Sequence, residues 1–204
     1  MKIDILAKLF GSLGRLKVIR MFLLNPEEIF PLKEILRRAK ISKQAGRREI
    51  NLLKEINFIA LKKYYAETKN KKGKIKKKKM DGWKLNPAFP LLLPLKNFVF
   101  DAAPVSREEL LKRLMKTGRL KMVILAGIFR GDENSRVDIL VVGDAIRKKS
   151  LENVIKGMEA EIGKELSYAF LNTREFLYRL GMYDKFVRDI LDYPHEKILN
   201  KLGI

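Results

Sequence analysis

The sequence predicts an α+β chain in two parts, and three observations carry that prediction. Apolar residues return at helical spacing early in the chain and then give way to a hairpin pattern, strands and helices alternate through the second half, and prolines 87, 90, 94 and 104 separate the two regimes. At 204 residues there is room for two small domains, each with its own core. The expected divisions are 1–88 for an N-terminal domain, 89–104 for a hydrophobic, proline-rich connector, and 105–204 for a C-terminal domain built on a small mixed sheet.

Charge narrows the function. There are 44 Lys and Arg against 24 Asp and Glu, a formal net charge of +20. Residues 1–100 hold 25 of the basic side chains and 8 of the acidic ones, so the excess belongs to the N-terminal half and points to a polyanionic partner. Cysteine is absent, which excludes a disulfide framework, a thiolate metal site and a thiol enzyme. The start has no uninterrupted apolar core of signal-peptide type, and runs such as "MVILAGIF" fall short of the roughly 18 residues that a membrane helix needs. A soluble, cytoplasmic protein with no membrane partner is the expectation.

In the N-terminal part, Ile5, Leu6, Leu9 and Phe10, then Leu16, Val18, Ile19, Phe22 and Leu23, predict two amphipathic helices broken at "GSLG". "PLKEILRRAK" predicts a short third helix opening at Pro31 or Leu32, with Leu32, Ile35 and Leu36 inward. In "ISKQAGRREINLLKEINFI", Ile41 reads as a buried turn residue, Ser42 as an N-cap, and Ile50, Leu53 and Ile56 as the inward stripe of a fourth helix. That leaves Lys43, Gln44, Arg47, Arg48 and Asn51 outward, a set of amide, ammonium and guanidinium groups suited to base edges and phosphates. Asn57 suits the left-handed residue that stops the helix. Strands at about 59–67 and 74–85 then form a hairpin around "KNKKG".

Residues 62 to 79 hold ten lysines and one glutamate. Lys62, Lys63, Lys71, Lys72, Lys74, Lys76, Lys77, Lys78 and Lys79 are the expected phosphate contacts, with Tyr64 and Tyr65 beside them. The order of helices, "PLKEILRRAKISKQAGRREINLLKEINFI" and hairpin resembles the winged helix-turn-helix of arsenic-repressor-type prokaryotic regulators over residues 1–88. That resemblance implies double-stranded DNA as partner, a recognition helix from Ser42 to Ile56 in the major groove, and a homodimer. The metal-responsive mode of such regulators is not implied, since the cysteines and histidine pair it uses are missing.

Between the halves, the apolar segment Phe89 to Phe100 predicts a short helix that packs between domains or across a dimer interface, and Ser106 predicts the cap of the helix after it. In the C-terminal part, 121–128 and 136–142 read as strands joined by a polar loop. A helix capped by Ser150, a strand in "ELSYAFLN", a helix capped by Thr173, another in "MYDKFVRDILDY" and a last strand at "EKIL" follow. This order, with the tail "TREFLYRLGMYDKFVRDIL", resembles the minimal nucleotidyltransferase fold of the polymerase-beta superfamily, as joined to a winged helix in prokaryotic proteins.

The resemblance implies a site at Gly127, Arg130, Gly131, Ser135 and Asp138, but a degenerate one. Active relatives place Gly-Ser where Gly127 and Ile128 stand, and a first metal-binding Asp where Arg136 stands, because two carboxylates at alternate strand positions are needed to hold two Mg²⁺ ions. Asp138 therefore reads first as a remnant paired with Arg136 or Arg130, with a retained nucleotide or single-metal site and a plain surface acid as the other readings, and Asp132, Glu133 and Asp144 are nearby acids. No catalytic residue, metal ligand or cofactor is assigned, the alternative being a nucleotide with Mg²⁺. Trp83 and His195 read as packing and surface residues. The function expected is a sequence-specific transcriptional regulator whose C-terminal domain serves dimerisation or sensing of a small-molecule or nucleotide effector. Its rivals are an active nucleotidyltransferase acting on a protein or RNA, and a non-specific nucleic-acid binder.

Overall fold

A computed structural model describes residues 5–69, 75–101, 106–132 and 135–204. The chain is α+β and divides into two compact units, one of residues 1–104 with 159–164, the other of 105–158 with 165–204.

The first unit is built on α2 (Leu13–Leu24), which follows the short α1 (Ile5–Leu9). Ser12 caps α2, its side chain accepting from the Arg15 amide, and Leu16, Val18, Ile19, Met21, Phe22 and Leu23 are buried. α3 (Leu32–Ala39) and α4 (Lys43–Glu55) pack on α2 through Ile35, Ile50 and Leu53. The turn between them runs through Lys40 in the left-handed region (φ 51), and Gly46 is buried where a Cβ would run into the Leu36 side chain, so glycine permits the close crossing of α3 and α4. Ser42 caps α4 as expected, and Asn57 has φ 58 just past its end. Ile56, expected inward, is 49% exposed, because the helix closes at Glu55 and Ile56 is already its C-cap.

β1 (Ile59–Lys69) and β2 (Ile75–Leu85) form an antiparallel ribbon, its tip at 70–74 lying outside the described residues. Its base is sewn to the helices by reciprocal amide-to-carbonyl bonds of 2.8 Å between Phe30 and Trp83, with Phe30 edge-to-face on Phe22. The connector forms α5 (Leu92–Asp101), in which Leu92, Leu95 and Val99 pack on this same core.

In the second unit, α6 (Arg107–Met115), capped by Ser106, precedes a four-stranded mixed sheet. The strands are β3 (Arg119–Leu125), β4 (Ile139–Asp144), β5 (Tyr168–Leu171) and β6 (Glu196–Asn200), in the order β5-β4-β3-β6, with only β4 and β5 parallel. Met122, Ile124, Leu140 and Val142 join Phe176, Val187 and Ile190 in one cluster; the alternate residues Val123, Leu125, Ile139 and Val141 are buried too, so the central strands are covered on both faces. The other helices are α7 (Lys148–Ile162), α8 (Thr173–Gly181) and α9 (Lys185–Asp192).

Three expectations change here. The central strands end and begin earlier or later than the apolar runs suggest, at Leu125 and Ile139, because Gly127 at φ 50 turns the chain and Asp138 lies ahead of β4. α7 starts at Lys148, two residues before Ser150. The cap of α8 is Asn172, whose Oδ1 accepts from the Glu175 amide at 2.7 Å, while the Thr173 hydroxyl donates to Asp144 at 2.9 Å. No helix among the described residues is long and apolar enough to cross a membrane.

Gly143 in β4 faces the start of β3 at close range: a Cβ there would meet the Arg119 carbonyl oxygen at 2.5 Å and Leu120 Cα at 2.8 Å. Gly143→Ala is expected to cost about 1–3 kcal/mol by overpacking, read as a lower urea midpoint at unchanged slope.

Candidate nucleic-acid interface

On α4 the two sides divide the work. At about 100° per residue, Lys43, Gln44, Arg47, Arg48 and Asn51 fall within an arc of about 140°, and all five are exposed. Gly46, Glu49, Ile50 and Leu53 fill the opposite arc and are buried. The Ser42 side chain is spent on the cap, accepting from the Ala45 amide at 3.3 Å, so of the expected contact residues it serves to start the helix. Lys43 and Arg47 have no acidic partner among the described residues, whereas on α3 Arg37 and Arg38 both bind Glu34. The Arg37 hydrogen bond, helped by Arg38 and opposed by burial, holds the Glu34 carboxyl down at about 2. The positive charge of α3 is thus partly met internally, and on the α4 face that of Lys43 and Arg47 is left for solvent or a ligand, Arg48 being paired with Glu49.

Glu49 is the residue that the sequence reading missed. It is 0% exposed, yet it is a carboxylate on the apolar side of α4. Its Oε1 accepts from the Ser12 hydroxyl at 2.9 Å and from Arg48 at 3.2 Å, and its Oε2 accepts from Arg15 Nε at 2.8 Å. Burial alone would raise its pKa, but the hydrogen bonds from Arg15 and Ser12 outweigh that and leave it lowered. The signal was available: position 49 falls in the same arc as Gly46, Ile50 and Leu53, where an unpaired acid would not be tolerated.

The ribbon adds a second charged element. Its register sets Tyr65 opposite Lys79 and Tyr64 opposite Met80. Strand alternation then places Lys63, Lys77 and Lys79 with Tyr65 on one face, and Lys62 and Lys78 with Tyr64 on the other. These five lysines and Tyr65 are exposed, and Tyr64 is half-buried. Lys71, Lys72 and Lys74 lie outside the described residues; Lys76 is in β2. Lys84, at the base, is paired with Glu27 at 2.8 Å. Trp83 packs against the core and His195 Nδ1 is 2.9 Å from the Tyr193 carbonyl, both in keeping with their bland reading.

In the second unit the structure brings Gly127 and Asp138 together, while Ser135 bonds elsewhere. Asp138 pairs with neither Arg136 nor Arg130, which corrects the expected ion pair. Its Oδ1 accepts from the Ile128 amide and its Oδ2 from the Ser167 amide, each at 2.8 Å, so one carboxylate staples the turn after β3 to the entry of β5. A Cβ on Gly127 would collide with that carboxylate, which is why glycine stands there. Arg136 is taken by Asp189, Arg130 lies 3.8 Å from Glu196, and the Ser135 hydroxyl donates to the Val137 carbonyl at 2.8 Å. Gly131 has φ 71 in the loop. Asp144 likewise takes the hydroxyl and amide of Thr173, which lower its pKa.

Comparison of the chain with protein-family models, with curated proteins and with solved structures gave no match.

Two outcomes follow from these carboxylates. Glu49→Ala, which strands the Arg15 guanidinium, is expected to cost about 3 kcal/mol in chemical denaturation. Because the folded-state pKa of Glu49 is depressed, its contribution is complete above the ordinary carboxylate range and is lost as pH falls from that range through the lowered folded-state value, so the variant should lose less stability than wild type as pH is taken from about 5 down through that acid range. Asp138→Asn presents an amide NH₂ to a backbone N–H, and is expected to lower stability by about 1–3 kcal/mol, measured by the same denaturation.

Proposed function

We propose that the chain is a sequence-specific DNA-binding transcriptional regulator of winged helix-turn-helix type, with α4 as recognition helix and the β1–β2 ribbon as wing. The observation that carries this reading is the exposed arc of Lys43, Gln44, Arg47, Arg48 and Asn51 on a helix whose other side is locked into the core. Gln44 and Asn51 supply amides able to bond two atoms of an adenine edge, Arg47 and Arg48 forks able to bond guanine, and Lys43 a cation for phosphate. Lysines on both faces of the ribbon supply the salt-sensitive, sequence-independent part of the affinity. Binding as a homodimer to paired half-sites belongs to the same proposal.

In this reading the second unit is a degenerate nucleotidyltransferase-like domain, used for dimerisation or effector sensing. Support comes from the mixed sheet and from Asp138, whose two oxygens are engaged by backbone amides in place of ligands. One observation favours a second reading: the ribbon contributes charge and no base readout, so a non-specific nucleic-acid binder would need the same lysines.

Fluorescence anisotropy separates the two. The protein is titrated onto the duplex upstream of its own gene and onto a scrambled duplex, each at low and moderate salt. The regulator reading expects the native duplex to keep an advantage of at least about a hundredfold at the higher salt; loss of both curves together favours the non-specific binder. Joint replacement of Arg47 and Arg48 by Ala is expected to shrink that advantage, and replacement of Lys76 to Lys79 by Ala to weaken both duplexes alike and flatten the salt dependence.

A further inference from the structure

Within the first unit, α2, α4 and α5, with Phe10 just after α1 and Phe58 just before β1, surround an open cavity of about 450 Å³. That volume falls in the range of small-molecule sites, about 300–1,000 Å³. Its walls include Phe10, Leu52, Ile56, Phe89, Leu95 and Phe98, and Leu91, 62% exposed, stands among the lining residues. The charged residue lining it is Arg15. This is the same guanidinium that binds Glu49 through Nε and the Phe10 carbonyl through Nη1, at 2.7 Å.

We propose that this cavity binds a small apolar molecule bearing one carboxylate, with its tail against α5 and its head on Arg15, and that occupancy is transmitted to α4 through Glu49. Size and lining set the tail: nearly every wall is aliphatic or aromatic. Charge sets the head. Arg15 and Arg48 share the single carboxylate of Glu49, so the cluster carries one uncompensated positive charge. A purely apolar ligand would strip water from Arg15 and return nothing, and a neutral hydroxyl returns only an uncharged hydrogen bond, whereas a carboxylate supplies charge-assisted hydrogen bonds to Nη2 while Nε keeps Glu49. Glu49 sits on the inner arc of α4, directly behind the exposed basic arc, so a shift of Arg15 toward a ligand changes how α4 is held. The consequence for DNA binding rests on the regulator reading; the binding and its effect on α4 do not.

The test uses the full chain without DNA, with decanoate and decan-1-ol as probes, at about 0.15 M salt to screen the basic surface. Isothermal titration calorimetry is expected to show one decanoate site, with decanol at least about tenfold weaker for want of the charge-assisted bonds. Leu91→Trp, at an exposed position among the lining residues, should weaken decanoate at least about tenfold by occlusion. Arg15→Gln should bring the two probes to equal affinity; Leu91→Trp keeps the test valid should that variant fail to fold. Amide hydrogen exchange with saturating decanoate should change protection across Lys43–Glu55 at least about threefold. Absence of a saturable site, equal affinity of the two probes in wild type, or undiminished binding in Leu91→Trp would each overturn the site. So would sedimentation showing a dimer that excludes decanoate, since a second copy would then be the occupant. Unchanged exchange in α4 would overturn the coupling. A failure to bind any duplex would count against the regulator reading alone.

Discussion

The first unit depends on a buried carboxylate. Glu49 reaches from the inner side of α4 to the start of α2, where the Ser12 hydroxyl that caps α2 also donates to it and Arg15, one turn on, closes the triangle. An isolated charge in that position would be expelled or protonated; three donors make it a joint. Because the joint is polar, it has a direction that apolar packing lacks. Ile50 and Leu53 would hold α4 against the core over a range of rotations, and the bond set of Glu49 selects one. That rotation decides which side chains face outward.

The same joint lies between two surfaces of different character. On the outside of α4, Lys43 and Arg47 have no acidic partner among the described residues, and on its other flank an apolar cavity opens onto Arg15. A guanidinium shared between a buried acid and a cavity wall is a physical means of connecting the two, since each new bond it makes alters the one it already has. The ribbon is fastened separately, through the Phe30 and Trp83 backbones and the Phe22 to Phe30 ring contact, so its lysines are carried by the core without touching the joint.

In the second unit the lone acid that stands before β4 has an architectural job. Asp138 satisfies two backbone amides, of Ile128 after β3 and of Ser167 before β5, at the end of the sheet. Gly127 belongs to the same device, since only a residue without Cβ lets the turn approach the carboxylate. The cations at 130 and 136, which looked like its partners, are taken by Glu196 and Asp189.

Periodicity and capping made most elements legible without coordinates. The α4 stripe, the cap at Ser42, the stop at Asn57, the ribbon and the strand–helix alternation are all local, set by residues within a turn or a hairpin of one another, and so is the excess of charge. Boundaries slipped where a local rule met a distant partner: Thr173 looked like a cap and instead serves Asp144, and Ile56 followed the apolar stripe past the point where the helix ends. Pairing between residues far apart in the chain was out of reach. Ser12 with Glu49, Asp138 with Ser167 and Arg136 with Asp189 are 37, 29 and 53 residues apart. By itself the sequence determined the class of fold, the order of its elements and the sign and place of its charge. Which acids are structural, which cations stay free for a ligand, and where a cavity opens were decided only by tertiary structure, because each depends on a partner that folding brings from elsewhere in the chain.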